Sequence, residues 1–162
     1  MSAERAGARD HEYVLDEIDR QLLTLLQKDG RLAYSELGNT TGLSAGAVRA
    51  RVLRLQEDGI LQVVGVTDPL RLGYRNMAML AINVEGDIDA TADAIGEVDG
   101  VIYVILAAGS VDLLVEVIAT SSDELYEIIN RRLRTIPGVR TVETFMYYRI
   151  HTHRFAWGVV PD

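Results

Sequence analysis

The chain has 162 residues, enough for one large domain or two small ones. Apolar residues make up 48% and charged residues 25% with no cysteine. That composition fits a folded chain in a reducing cytosol and excludes disulfide scaffolds, iron–sulfur clusters, thiolate zinc fingers and cysteine nucleophiles. The net charge of −8 argues against nucleic acid as a partner, but it is unevenly divided. Residues 77–150 hold twelve acids and five arginines, whereas residues 31–56 hold Arg31, Arg49, Arg51 and Arg54 against Glu36 alone. A local basic face matters more to a phosphate backbone than the chain total.

Residues 1–13 lack periodicity and are polar and charged at the start, unlike a secretory signal, and are expected to form a flexible tail. Leu15, Ile18, Leu22 and Leu25 then recur at helical spacing, with Asp16 or its neighbour placed as the cap and Gly30 at the end. A short second helix is predicted over 35–41, with Ser35 as its N-cap and Glu36 in the first turn. After Gly42-Leu43-Ser44 a third helix begins, capped by Ser44. Its inward stripe is Val48, Val52 and Leu55, and Gly59 follows its end as a left-handed cap. Two helices joined by a tight turn, with a supporting helix before them, form a helix-turn-helix over residues 14–60. Ala45, Gly46, Arg49 and Ala50 then face outward. Small residues let that face approach base edges, and arginines reach bases or phosphates. The competing reading is a solvated arginine-bearing face.

Residues 61–76 read as a strand-bearing hinge, with Leu61, Val63, Val64 and Val66 broken by Asp68-Pro69 and Gly73. Residues 77–150 hold a concealed repeat. The first half is a strand over 77–84, a helix over 89–97, the turn Asp99-Gly100-Val101 and a strand over 102–107. The second is a strand over 112–118, a helix over 122–134 started by Ser122, the turn Pro137-Gly138-Val139 and a strand over 142–150. Together they make βαββαβ, the ferredoxin-like arrangement, so the fold class is α+β. The strands 77–84 and 101–107 are almost continuously apolar, which predicts helices on one face and a second subunit on the other. The most apolar stretch, Val101 to Ala108, is far short of the about 20 residues of a membrane helix.

The run Leu15-Asp16-Glu17-Ile18-Asp19-Arg20-Gln21-Leu22-Leu23, with Asp29-Gly30-Arg31, Ser35-Glu36-Leu37, Gly42-Leu43-Ser44, Val48-Arg49-Ala50-Arg51-Val52 and Leu55-Gln56-Glu57-Asp58-Gly59-Ile60, resembles the Lrp/AsnC family of feast/famine transcription regulators. Gly109-Ser110-Val111-Asp112 matches that family's Gly-x-x-Asp hairpin. The resemblance spans about residues 14–150. It implies an N-terminal winged/helix-turn-helix domain and a C-terminal effector-sensing (RAM-type) domain. It further implies a cytoplasmic, nucleoid-associated regulator that dimerises through its C-terminal sheets, assembles into octamers or other rings, and binds a small effector, commonly an amino acid. Gly38 stands where the family usually has Ala, a cost of about 1 kcal/mol in helix propensity, and Gly46 carries a similar one. Leu53 replaces a usual polar residue and Ala108 a common Thr.

The expected DNA-binding residues are Arg31, Ser44, Ala45, Gly46, Arg49, Arg51 and Arg54. Arg49 is the first choice for base contact, and Ser44, Ala45 and Gly46 approach the groove edge. Arg31, Arg51 and Arg54 are assigned to phosphate, with Arg51 alternatively pairing with an acid of the first helix such as Asp19. The expected effector residues are Ala108, Gly109, Ser110 and Asp112. There, exposed amides and a carboxylate would hold the two charged ends of an amino acid, against the plainer reading of a β-hairpin turn. His151 and His153 alternate without a third ligand, so no metal site is assigned. Tyr147, Tyr148, Phe155 and Trp157 read as core or interface aromatics. No catalytic residue and no required cofactor are expected, because no phosphate loop, metal triad or activated nucleophile is present. The partners expected are double-stranded DNA with a pseudo-palindromic site, a second copy of the chain and the effector, with no membrane. The alternatives are a ligand-binding or assembly module without DNA binding, and, further off, a small-molecule enzyme. Residues 151–162 extend beyond the resemblance.

Overall fold

The computed structural model describes residues 14–152 and residue 159. The expected N-terminal tail, His153, Phe155 and Trp157 lie outside them. Among the described residues the chain divides into two compact units, one over 14–66 with Thr152 and Val159, the other over 67–151.

The first unit is helical. Helix α1 runs Glu17–Lys28, α2 Tyr34–Thr41 and α3 Ala45–Glu57. Asp16 caps α1 as expected, in a reciprocal box: its carboxylate accepts the Asp19 N–H at 2.8 Å, and Asp19 accepts the Asp16 N–H at 3.4 Å. Ser44 caps α3 by accepting the Ala47 N–H at 3.2 Å. Gly59 takes φ +71° just past the end of α3. The cap of α2 differs from expectation. The helix starts one residue earlier, so Ser35 falls inside its first turn and Ala33 is the cap residue. Ala33 has no side-chain acceptor, and its N–H is met from the other side by the Glu36 carboxylate at 3.2 Å. Leu22, Leu23, Leu26, Leu37, Val48, Val52, Leu55 and Leu61 form the core, with Leu15, Ile18, Leu25 and Val159 packed against it. Burying side chains of this size contributes about 1.5–3 kcal/mol each.

The expected hinge strand is absent. Residues 61–68 form no ladder, and Asp68 instead caps a short 3-10 turn, Pro69–Leu72. A strand needs a partner for its alternating N–H and C=O groups. No other strand of this unit, and so no wing, is present among the described residues.

The second unit holds β1 (Asn76–Val84), α4 (Ile88–Gly96), β2 (Val101–Leu106), β3 (Leu113–Ala119), α5 (Ser122–Tyr126) and β4 (Val139–Met146). The sheet order is β2-β3-β1-β4 and every pairing is antiparallel, which is the ferredoxin-like arrangement. Strand β4 lies three to four residues earlier than expected. Val139 already pairs with Val84, the last residue of β1, and the ladder ends at Met146 opposite Ala78, with the Tyr147 N–H donating to the Met77 carbonyl. The helix predicted over 122–134 is divided. After α5 comes a π-helical stretch, Glu127–Arg132, and a 3-10 turn, Leu133–Thr135. The wider turn keeps Leu125, Ile128, Ile129 and Leu133 all buried. Its cap is Ser121 rather than Ser122, and α4 is capped by Asp87.

The concealed repeat is reciprocal in space. Gly100 and Gly138 occupy the matching turns, with φ +95° and +92°. A Cβ on Gly100 would lie 2.6 Å from Ile128 Cδ1, in the second half's helix, while one on Gly138 would lie 2.4 Å from Thr91 Oγ1, in α4. Each turn therefore seats the other half's helix. One sheet face, carrying Ala78, Leu80, Ile82, Leu113, Val115 and Val117, is covered by α4 and the second helix. On the other, the register aligns Tyr103, Glu116, Met79 and Phe145 across all four strands. Tyr103 and Phe145 are 59% and 50% exposed, so this face of the sheet is left open at both edge strands.

Candidate nucleic-acid interface and effector hairpin

Helix α3 presents two chemically different sides. Ala45, Gly46, Arg49 and Ala50 are exposed, and a Cβ on Gly46 would meet nothing within 4 Å. This is an open face of small side chains with one guanidinium at its centre. Ser44, at its head, is also exposed.

Arg51 and Arg54 serve the other side. Arg51 Nη1 donates to Asp16 Oδ2 at 2.6 Å and to Asp19 Oδ1 at 2.8 Å, and Arg54 Nη2 donates to Asp19 Oδ2 at 3.2 Å. Asp19 is 1% exposed, so both oxygens of a buried carboxylate are held by guanidinium groups from α3. Hydrogen bonds to ionised groups are about twice as strong as neutral ones. The backbone N–H of Asp19, and after it Arg51, hold the Asp16 carboxyl below the usual carboxylate range, and Asp16 and Asp19 raise the Arg51 guanidinium. Of the two readings of Arg51, the structure realises the pairing with α1. Arg54 keeps half of its side chain exposed. Arg31 stands apart, in a turn, with its guanidinium on Asp29 at 2.9 and 3.0 Å and its side chain 90% exposed. That pairing draws the Asp29 carboxyl down to about 2.

The hairpin between β2 and β3 brings Ala108, Gly109, Ser110 and Asp112 together. The first three are exposed, and Gly109 has a positive φ of +152°. Asp112 closes the turn: its carbonyl accepts the Ala107 N–H at 2.8 Å and its own N–H donates to the Ile82 carbonyl at 3.0 Å. Its carboxylate accepts the Val84 N–H at 2.8 Å, at the register shift of β1. The hairpin reading of Gly109 and Asp112 thus holds as geometry, and Asp112 also ties the hairpin to β1. One participant escaped the sequence reading: Asn83 meets the hairpin from β1. Asp19, named there as a partner for Arg51, lies at helical spacing with the buried Leu22, Leu23 and Leu26, a polar residue on a core stripe. His151 is exposed, and no cluster of metal-ligating side chains is present among the described residues.

A helix-turn-helix with an open small-residue face, followed by a ferredoxin-like unit carrying a hairpin site, defines a two-domain DNA-binding regulator with a sensor domain. Residues 15–56 match the AsnC-type helix-turn-helix domain and residues 77–157 the Lrp/AsnC ligand binding domain. The chain belongs to the Lrp/AsnC family of transcriptional regulators. It is 32% identical to an uncharacterized HTH-type transcriptional regulator of Pyrococcus furiosus over 133 residues, 81% of this chain and 90% of that one. It is 26% identical to the regulatory protein AsnC of Escherichia coli over 137 residues, covering 83% and 90%. Among solved structures it resembles the feast or famine regulatory protein of M. tuberculosis complexed with L-methionine, with a TM-score of 0.80 at 27% identity over 90% of this chain and all of that one.

Proposed function

We propose that the protein is a homodimeric, sequence-specific transcription regulator whose DNA binding responds to an amino acid. The observation that carries this is the division of labour on α3. Asp19 and Asp16 engage Arg51 and Arg54, while Ala45, Gly46 and Arg49 stay exposed on the opposite side. Arg49 is the base-reading residue, with Ser44, Ala45 and Gly46 setting the close approach. Arg31 and the exposed half of Arg54 contact phosphate. Arg51 acts as a strut that fixes how α3 stands on α1.

The open sheet face, with Tyr103, Phe145 and Met79, is where a second copy docks, and larger rings are built from that dimer. A two-fold dimer reads a pseudo-palindromic site with half-sites about 34 Å apart or a multiple of it. The effector binds at Ala108–Asp112. The L-methionine complex of the M. tuberculosis relative supports an amino acid as its class. Among the described residues no helix is long and apolar enough to cross a membrane. We place the protein in the cytoplasm, on the nucleoid, acting without catalysis or a required cofactor.

Arg49→Ala tests the assignment of α3. Affinity for DNA from the protein's own upstream region should fall by about 1–3 kcal/mol, with little change for random DNA. An equal loss on both would remove Arg49 from base reading.

A further inference from the structure

Asn83 lies on β1 where the ladder to β4 shifts register, opposite Thr141. Its neighbours Ile82 and Val84 turn toward the helix-covered core, so Asn83 faces the other side of the sheet. Its Nδ2 donates to the Ser110 carbonyl over 3.5 Å. Its Oδ1 is buried and has no hydrogen-bond partner among the described residues. A buried carbonyl oxygen left unmet is costly, and native proteins seldom keep one without use. Turning the amide over would not help, because Oδ1 would then face the Ser110 carbonyl, acceptor against acceptor. The residue is therefore held with an acceptor waiting for a donor, beside the hairpin already assigned to the effector.

We propose that Asn83 Oδ1 is a contact of the effector site, accepting an N–H from the ammonium group of an α-amino acid alongside the Asp112 carboxylate. The inference rests on the effector reading of residues 108–112. A primary ammonium brings three donors and one positive charge. Asp112 supplies the opposite charge and Asn83 a neutral acceptor, so the pair selects an ammonium over a hydroxyl. The hairpin tip beside Asn83 is lightly held. Ala108, Gly109 and Ser110 are exposed, a Cβ on Gly109 would meet nothing within 4 Å, and a single long hydrogen bond ties Ser110 to Asn83.

The experiment is thermal melting of the full chain and of Asn83→Leu and Asp112→Ala, alone and with each common L-amino acid in turn. The α-hydroxy acid bearing the side chain of any amino acid that binds serves as control. Asn83→Leu keeps the volume and removes the unmet carbonyl. The free variant should therefore melt a few degrees higher than the parent and bind the amino acid about tenfold or more weakly. The α-hydroxy acid should not shift the parent. A variant that melts lower than the parent would make Asn83 a packing residue and overturn the proposal. So would an unchanged response to the amino acid. If Asn83→Leu abolishes self-association in solution, the donor comes from a second copy and the proposal falls. Loss of the response in Asp112→Ala with retention in Asn83→Leu would refute this inference and leave the effector reading standing. A parent that responds to no amino acid would overturn both.

Discussion

Asp19 and its partners show how one buried carboxylate orders a DNA-reading helix. A buried ion pair adds little net stability over an apolar pair of the same shape, but breaking it is expensive because one partner is left unmet. Here the carboxylate is the buried member, and both arginines keep some contact with water. Asp19→Ala should therefore cost about 2 kcal/mol, less than a fully buried break. Denaturant unfolding checks this, and a change below about 0.5 kcal/mol would contradict it. Tyr147 is a second residue whose setting makes a forecast. Partial burial, and then donation of its hydroxyl to Glu116, push its phenol from 10.0 to about 12. Its folded value lies above its unfolded one, so its contribution is complete below pH 10 and is lost as pH rises toward 12. Phenolate absorbance should show a component near pH 12 that Tyr147→Phe removes; persistence of that component in the variant would contradict the assignment.

Elements were legible in the sequence wherever one local rule acted alone. The caps Asp16 and Ser44, the left-handed Gly59 and the two x-Gly-Val turns follow from side-chain chemistry within a few residues. Those rules gave way where tertiary partners decide. Strand β4 begins where β1 ends, the hinge has no partner strand among the described residues of its unit, and the second long helix widens into a π turn that keeps both Ile128 and Ile129 inside. In the candidate site, the outward place of Arg49 follows from helical spacing and the hairpin from its glycine and the family resemblance, whereas the buried position of Asp19 and the unmet oxygen of Asn83 depend on packing across elements. Gly38 shows propensity and packing in opposition. By propensity Ala should improve α2 by about 1 kcal/mol. Yet a Cβ there would stand 2.5 Å from the Leu43 carbonyl oxygen, in the turn whose Leu43 N–H returns to the Gly38 carbonyl at 3.1 Å. A backbone atom does not yield as a flexible side chain does, so Gly38→Ala should lower the melting temperature. A rise would show that propensity wins at this position.

The whole molecule joins a strongly acidic sheet unit to a nearly neutral helical unit with a local arginine cluster. The acidic sheet unit accounts for most of the net charge of −8, while the basic residues of the helical unit gather about α3. In the function proposed above, these arginines would meet phosphate against an unfavourable overall field. Each phosphate contact adds to the salt dependence, so its slope grows with the number of helical units presented together. In that function, self-association through the open sheet face would supply two such units, and an effector at the hairpin would change binding by changing that presentation. This is a coupling between two distinct sites, so DNA and effector must alter each other's affinity by the same factor.

The measurement that tests this most directly is binding of the intact protein to DNA from its own upstream region at two salt concentrations, with and without a panel of L-amino acids. We predict specific binding that weakens steeply with salt and is shifted by at least one amino acid. Absence of specific binding under every condition would contradict the account and leave an assembly module that acts through a protein partner.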